Sequence, residues 1–188
     1  LMSSNKAKFA ELKLKIEGFS EKTINKIDKV LSGNALECAT TAKRLAPTDE
    51  GTLKANISAN VTTPLRKEVN VNVFYAAYVE FGTGKYAAKY VASLPQEWKD
   101  MAMQVKGKGS GDYYDFLNNI LDWVKRKGLA RIKNSYTGRS STKKDDLLLV
   151  AESIAFYIMV NGVRPHPFLL PAYQQQKKQL LEDLRRQL

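Results

Sequence analysis

The sequence predicts an α+β fold, and three observations carry that reading. Short stretches alternate apolar and polar residues with the period of a strand. A long stretch in the first half repeats its apolar residues every three or four positions, the period of a helix. The second half is cut by glycine and proline into further amphipathic segments.

Taken in order, residues 9–16 (FAELKLKI) set Leu12, Leu14 and Ile16 between lysines, which predicts a strand with one wet face, ended by Gly18. After Ser20 comes a helical run with Ile24, Ile27, Leu31, Ala35, Cys38, Ala42 and Leu45 on one stripe. It stops before Pro47, because the residue preceding a proline is pushed out of helical space. In APTDEGTLKANI (46–57), Pro47, Asp49 and Gly51 mark a turn. Residues 57–61 and 69–74 then read as the arms of a β-hairpin, with TTPLRK as the bend. YAAYVEFG (75–82) is apolar on too many sides for an exposed strand and predicts a short buried helix or turn.

The middle differs in texture. SLPQEWKDMAMQVKG (93–107) suits a helix with Ser93 as N-cap and Gln96 as its capping-box partner. KGKGSG (106–111) reads as a linker. In DYYDFLNNILDWVKRKG (112–128), Phe116, Ile120 and Trp123 share a face and Gly128 is a C-cap. Residues 129–144 form a basic polar loop. Residues 145–160 predict an apolar helix packed on two sides, and 167–188 a final helix with Tyr173, Lys177, Leu180, Leu184 and Leu188 on one face.

With 188 residues and 44% hydrophobic content, the chain has the material for an ordered core. Its net charge is +11, and residues 84–146 alone contribute 13 basic against 7 acidic groups. That balance favours nucleic acid or an acidic partner. A lone cysteine, Cys38, excludes an internal disulfide, and its place on the helical stripe makes it a small buried hydrophobe. The longest apolar stretch, 147–160, is too short to span a bilayer and is broken by Glu152 and Ser153, so a soluble protein with no membrane partner is expected.

Catalytic chemistry finds little support. GTGK (82–85) lacks the spacing of a phosphate loop, and Tyr86 stands where that loop needs Ser or Thr. GKGSG (107–111) follows no hydrophobic strand. One histidine and one cysteine far apart make no metal site, so no metal and no cofactor are expected. His166 is the only histidine available as a base, and it sits between two prolines. Paired carboxylates such as Asp145/Asp146 serve more simply as caps. Glu80, between Val79 and Phe81, is expected to be at least half buried and to need a cation or backbone amides, as an anchor for the turn or a contact with a neighbouring subunit. The expectation is a protein that is not an enzyme.

Three blocks occur in order: AKRLAPTDEGTLKANI (42–57), VFYAAYVEFGTGK (73–85) and RPHPFLLPAY (164–173), the last followed by a charged amphipathic helix. Together they resemble the gene-ten-like head–tail joining or tail-completion family of tailed bacteriophages. The resembling residues are Pro47, Asp49, Gly51 and Leu53; Tyr75, Ala76, Glu80, Phe81, Gly82 and Thr83; and Pro167, Phe168, Leu169, Pro171 and Ala172. The chain departs where Glu50 replaces the family's Thr and Lys54 its Arg.

The resemblance covers residues 9–85 and 162–188 as the core of a single domain, with 86–161 as a mainly helical basic insertion. It implies a small antiparallel β-sheet flanked by the long helix of the N-terminal half and a C-terminal helix. It further implies a virion structural protein of the neck or tail, assembled in the host cytoplasm as a ring of copies of itself, commonly a hexamer. Such a tail terminator or neck connector would join the capsid connector to the tail tube and let DNA pass.

Two alternatives use other residues. A DNA-binding module would employ the 124–144 segment, through Lys125, Arg126, Lys127, Arg131, Lys133, Arg139, Lys143 and Lys144, with Trp123 and Tyr136 for stacking; on a ring the same cations would meet channel DNA or a partner. A small hydrolase would use His166. Yet Pro165 and Pro167 hold the RPHPF stretch extended and Pro171 suits the first turn of a helix, so this stretch aims the last helix and leaves His166 a surface or interface residue.

Overall fold

A computed structural model describes residues 2–106, 112–129, 132–133, 140–141 and 144–187. Among these, helices dominate and the strands form two short antiparallel pairs, so the fold is α+β with a mainly helical content. The chain divides into two compact units, Leu1–Ala76 with His166–Leu188, and Ala77–Pro165.

The first unit is organised by α1 (Met2–Leu45), whose 44 residues span about 66 Å at 1.5 Å per residue. The expected strand at 9–16 is therefore helix. Ala, Glu, Leu and Lys are all strong helix formers, and a three-residue alternation is too short to outweigh them beside so long a helical run. Gly18 does not end α1 either; an interior helical glycine costs only about 1 kcal/mol. The expected stripe holds at its centre, where Ala35, Cys38 and Ala42 are buried, but Ile24 and Leu45 at its ends are exposed.

Against these small residues packs α8 (Leu169–Gln187). Short side chains let two helix axes approach closely. Leu170, Ala172 and Gln176 are buried, and Asn34 Nδ2 donates to Gln176 Oε1 at 3.4 Å. The expected face of α8 is thus only partly right. Leu180 and Leu184 are half-buried, but Tyr173 and Lys177 lie outside, with the ammonium 5.8 Å from the ring centroid. Pro171 falls in the first turn, as expected, and Phe168 is the most buried large side chain of its stretch at 1% exposure.

The hairpin is present: β1 (Ile57–Asn60) pairs antiparallel with β2 (Glu68–Val71), Ile57 opposite Val71 and Asn60 opposite Glu68. Its bend is tied to α1. Lys67 Nζ, with a side chain 4% exposed, donates to the Val61 and Thr63 carbonyls at 2.9 and 2.8 Å and pairs with Asp28 Oδ1 at 2.8 Å. The same carboxylate oxygen accepts from the Leu65 N–H at 2.7 Å, where Leu65 takes a left-handed φ of 55°.

In the second unit, α3 (Ala76–Phe81) confirms the short helix expected at YAAYVEFG. A helix not foreseen, α4 (Gly84–Ala92), follows at once. Ser93 is not the N-cap of α5 (Gln96–Val105): its hydroxyl donates back to the Tyr90 carbonyl at 2.7 Å, closing α4. Gln96 bonds Asp100 instead of completing a capping box, and Pro95, with its φ preset at −57°, starts α5.

The core of this unit lies between α6 (Tyr113–Lys127) and α7 (Lys144–Asn161). Leu117, Ile120 and Val124 pack on Ala151 and Ala155, with Phe116 and Trp123 at the margin. Gly128 caps α6 at φ 62°, as expected. β3 (Ile132–Lys133) pairs with β4 (Ser140–Ser141) within the stretch read as a loop. The two-sided packing expected for α7 is seen only in part: it packs on α6 and also meets α4, where the Tyr86 and Tyr157 hydroxyls lie 2.8 Å apart. Its small residues face α6, while Leu149, Phe156, Met159 and Val160 are 47–66% exposed.

Candidate assembly site

The first resembling block becomes a left-handed turn into a single helical turn. Ala46 closes α1 with its N–H on the Ala42 carbonyl at 2.9 Å. Gly51, at φ 83°, then opens α2 (Thr52–Ala55), and its carbonyl accepts from Ala55 N–H at 3.0 Å. A residue with a Cβ is strained at that φ, so the glycine carries the motif even with Glu50 beside it. Leu53 is buried below the turn; Pro47 is half-buried and Asp49 exposed. Asn56 ties the turn to the hairpin: its side chain bonds the Thr52 carbonyl at 2.9 Å and its carbonyl accepts from Asn72 N–H at 3.1 Å. Beyond the hairpin, Ala76 is buried and Tyr75 half-buried, edge-on to Phe74 at 5.5 Å between centroids. Phe74 itself is 89% exposed.

The second block builds a latch. Gly82 and Gly84, at φ 73° and 57°, and Gly162, at φ 84°, bring two backbone segments into direct contact. A Cβ on Gly82 would lie 2.6 Å from the Val163 carbonyl oxygen, and one on Gly162 would strike the Thr83 carbonyl. Thr83 N–H donates to Val163 O at 2.9 Å, and Val163 N–H donates to Thr83 Oγ1 at 2.8 Å. The hydroxyl thus spans to Val163 instead of capping α4. The glycines of GTGK serve close backbone approach, which explains why the stretch has the wrong spacing for phosphate. Gly162 was the partner that sequence reading missed; its signal was a glycine just past a long apolar helix.

Around the latch, Phe81 is buried edge-on to Trp98 at 6.3 Å. Glu80 is 3% exposed, in keeping with the expectation that it is at least half buried, and its charge, after burial of the phenol, helps push the Tyr90 pKa up. On the outside, the Tyr86 and Tyr157 hydroxyls meet at 2.8 Å and the Arg164 guanidinium sits 5.4 Å from the Tyr86 ring centroid. The hydrogen bond with Tyr157, then that with Arg164, lowers the Tyr86 pKa; the same Tyr–Tyr bond raises that of Tyr157.

In the third block Phe168 and Ala172 are buried, Leu169, Pro167 and Pro171 half-buried, and His166 exposed. Leu170 goes deeper than Leu169 because α8 begins at Leu169 and turns the next residue inward.

Of the basic set, Lys125, Arg126 and Lys127 stand exposed in the last turn of α6, where cations complement the helix C-terminus; Lys125 also pairs with Asp122 at 3.0 Å. Lys133 lies in β3 and Lys144 opens α7, their backbones alone being described; Arg131, Arg139 and Lys143 lie outside the described residues. Among the described residues no cluster of three His, Cys, Asp or Glu is placed to hold a metal, and no helix is long and apolar enough to cross a membrane.

Residues 10–82 match the HK97-gp10-like family model, described as "Bacteriophage HK97-gp10, putative tail-component". Over that span the chain is similar to the HK97-gp10-like family of phage tail-related components, in line with the resemblance of its first two blocks, the second up to Gly82. The third block lies beyond the matched residues. No curated protein and no solved structure matches the chain.

Proposed function

We propose that this protein is a non-catalytic virion subunit of the head–tail junction, assembling with copies of itself into a ring that joins the capsid connector to the tail tube and leaves a passage for DNA. The observation that carries the reading is the family match over residues 10–82, within which Gly51 and Gly82 serve backbone geometry and Leu53, Ala76 and Phe81 fill the interior. A ring needs an interface between two different surfaces of the same subunit. Phe74 is one anchor available for such contacts with a neighbouring copy or tail protein.

Native mass spectrometry at micromolar concentration, with and without the purified tail-tube and connector proteins, tests the reading. A closed oligomer of one defined mass is expected, and Phe74→Ser is expected to reduce it while leaving the folded monomer intact. Monomers under every condition would overturn the proposal. The exposed cations ending α6 favour a second reading, a DNA-binding module, which a gel shift separates from the first as argued below.

A further inference from the structure

We infer that the exposed face of α7 in one copy docks into the apolar groove formed by α3, α4 and α5 of the next. The inference rests on the ring reading above and names the contact that would build it.

The groove has a volume of about 560 Å³, within the range of pockets that hold ordered apolar groups. Tyr78, Phe81, Ala88, Val91, Ala102 and Met103 line it, together with the Gly82–Gly84 side of the latch. Ala88, Ala92 and Met103 are exposed, so the groove is open to an incoming element. The ridge is the outer side of α7: Leu149 is 60% exposed, Phe156 66%, Met159 54% and Val160 47%. None of these residues lines the groove of its own chain. Their helix is committed on its opposite side, where Ala151 and Ala155 are buried against α6.

Charge decides the occupant. Lys106 lines the groove, and exposed Lys85 and Lys89 stand beside the lining residues Gly84 and Ala88 on α4. The acidic groups of α5, Glu97 and Asp100, are on its first half and line nothing. From Asp145 to Val163 the chain has no lysine or arginine, and Asp145, Asp146 and Glu152 are its only charges. Glu152 is exposed on the ridge, one turn from both Leu149 and Phe156. In a chain of net charge +11, the middle of the apolar ridge thus carries a single charge, Glu152, while the apolar groove has Lys106 in its lining and Lys85 and Lys89 beside it. Complementary potentials of this kind orient and select a partner. A second copy supplies the match, and because ridge and groove are different surfaces the contact is heterologous and repeats around a ring.

The test is disulfide trapping in the full chain carrying Cys38→Ala. One variant adds Val160→Cys on the ridge, another Ala92→Cys in the groove lining. Mixed under mild oxidation, the two are expected to give a crossed dimer at least tenfold more abundant than either gives alone. Dimers from Val160→Cys alone would overturn the proposal, since they report ridge against ridge. Oligomers of defined mass with no crossed product would overturn this contact and leave the ring reading standing. Monomers throughout would overturn both. Glu152→Lys is expected to lower the crossed yield severalfold, and adding Lys106→Glu in the groove variant to restore it; loss without restoration would count against the charge pairing.

Discussion

At the scale of single residues, the glycines separate by what surrounds them. Gly33 sits inside α1 with open space where a Cβ would go, so Gly33→Ala is expected to stabilise the protein by about 0.5–1 kcal/mol. Gly51 also has space but a φ of 83°, and Gly51→Ala is expected to cost about 1–2 kcal/mol from backbone strain alone. Gly162 combines φ 84° with a Cβ position occupied by the Thr83 carbonyl, so Gly162→Ala costs more than Gly51→Ala. Thermal unfolding of the three variants checks the order, and an unaffected Gly162→Ala would refute the latch.

Asp28 makes a second residue-scale case. The hydrogen bond from Lys67, then that from the Leu65 N–H, holds its carboxyl below the usual value of 3.8. A carboxyl whose folded pKa lies below its unfolded one contributes stability that is complete above the unfolded value. That contribution is lost as pH falls through the folded value. Wild type is therefore expected to exceed Asp28→Asn in stability from pH 5 upward, and the gap to close as pH drops below about 4. A gap that stays constant from pH 7 to pH 2.5 would show that the charge of Asp28 is irrelevant.

At the scale of elements, α7 holds two kinds of apolar residue that its sequence does not distinguish. Truncating its α6 partners is expected to destabilise: Ile120→Ala, in a site 8% exposed, costs about 2–5 kcal/mol. Leu149→Ala or Phe156→Ser, on the exposed side, is expected to stay within about 0.5 kcal/mol of wild type. Denaturant titration of the three separates core from contact surface. This is also where sequence reading reached its limit. A helix apolar all round is normally buried all round, and only a structure shows that the second face of α7 meets solvent.

Other elements were legible for local reasons: the hairpin from its alternation, the end of α6 from Gly128, the start of α8 from its prolines. Residues 9–16 misled because Leu and Lys alternate over too few positions to oppose their helix propensity. Ser93 misled because a serine between two helices suits the end of one as well as the start of the next, and Pro95 decided which. In the candidate site, Gly51 and Gly82 could be picked out as glycines that turns require. The Thr83–Val163 pairing spans 80 positions and leaves no local pattern. The Lys67–Asp28 anchor is invisible for the same reason.

At the scale of the molecule, a net charge of +11 sets what DNA binding alone would signify. Any strongly basic protein binds duplex DNA at low salt, because neutralising phosphates releases counterions, with a slope of about −0.9 per phosphate contact in log K against log salt. Assembly through apolar surfaces has no such dependence, since burying apolar area is insensitive to modest salt. A ring subunit is therefore expected to release DNA as salt rises from 0.05 to 0.2 M while its oligomer mass stays unchanged. Replacing Lys125, Arg126 and Lys127 with serine tests the DNA-binding reading directly. If those side chains hold DNA, the salt slope falls by up to about three. If they mainly complement the end of α6, the slope barely moves and the helix loses a few tenths of a kcal/mol for each cation removed. Tight binding that persists at 0.2 M salt, abolished by the triple substitution in a chain that remains monomeric, would reverse the order of the two readings. A salt-resistant oligomer whose DNA retention fades with salt, and which the substitutions leave intact, supports a structural subunit whose charge is directed at whatever lines or traverses the ring.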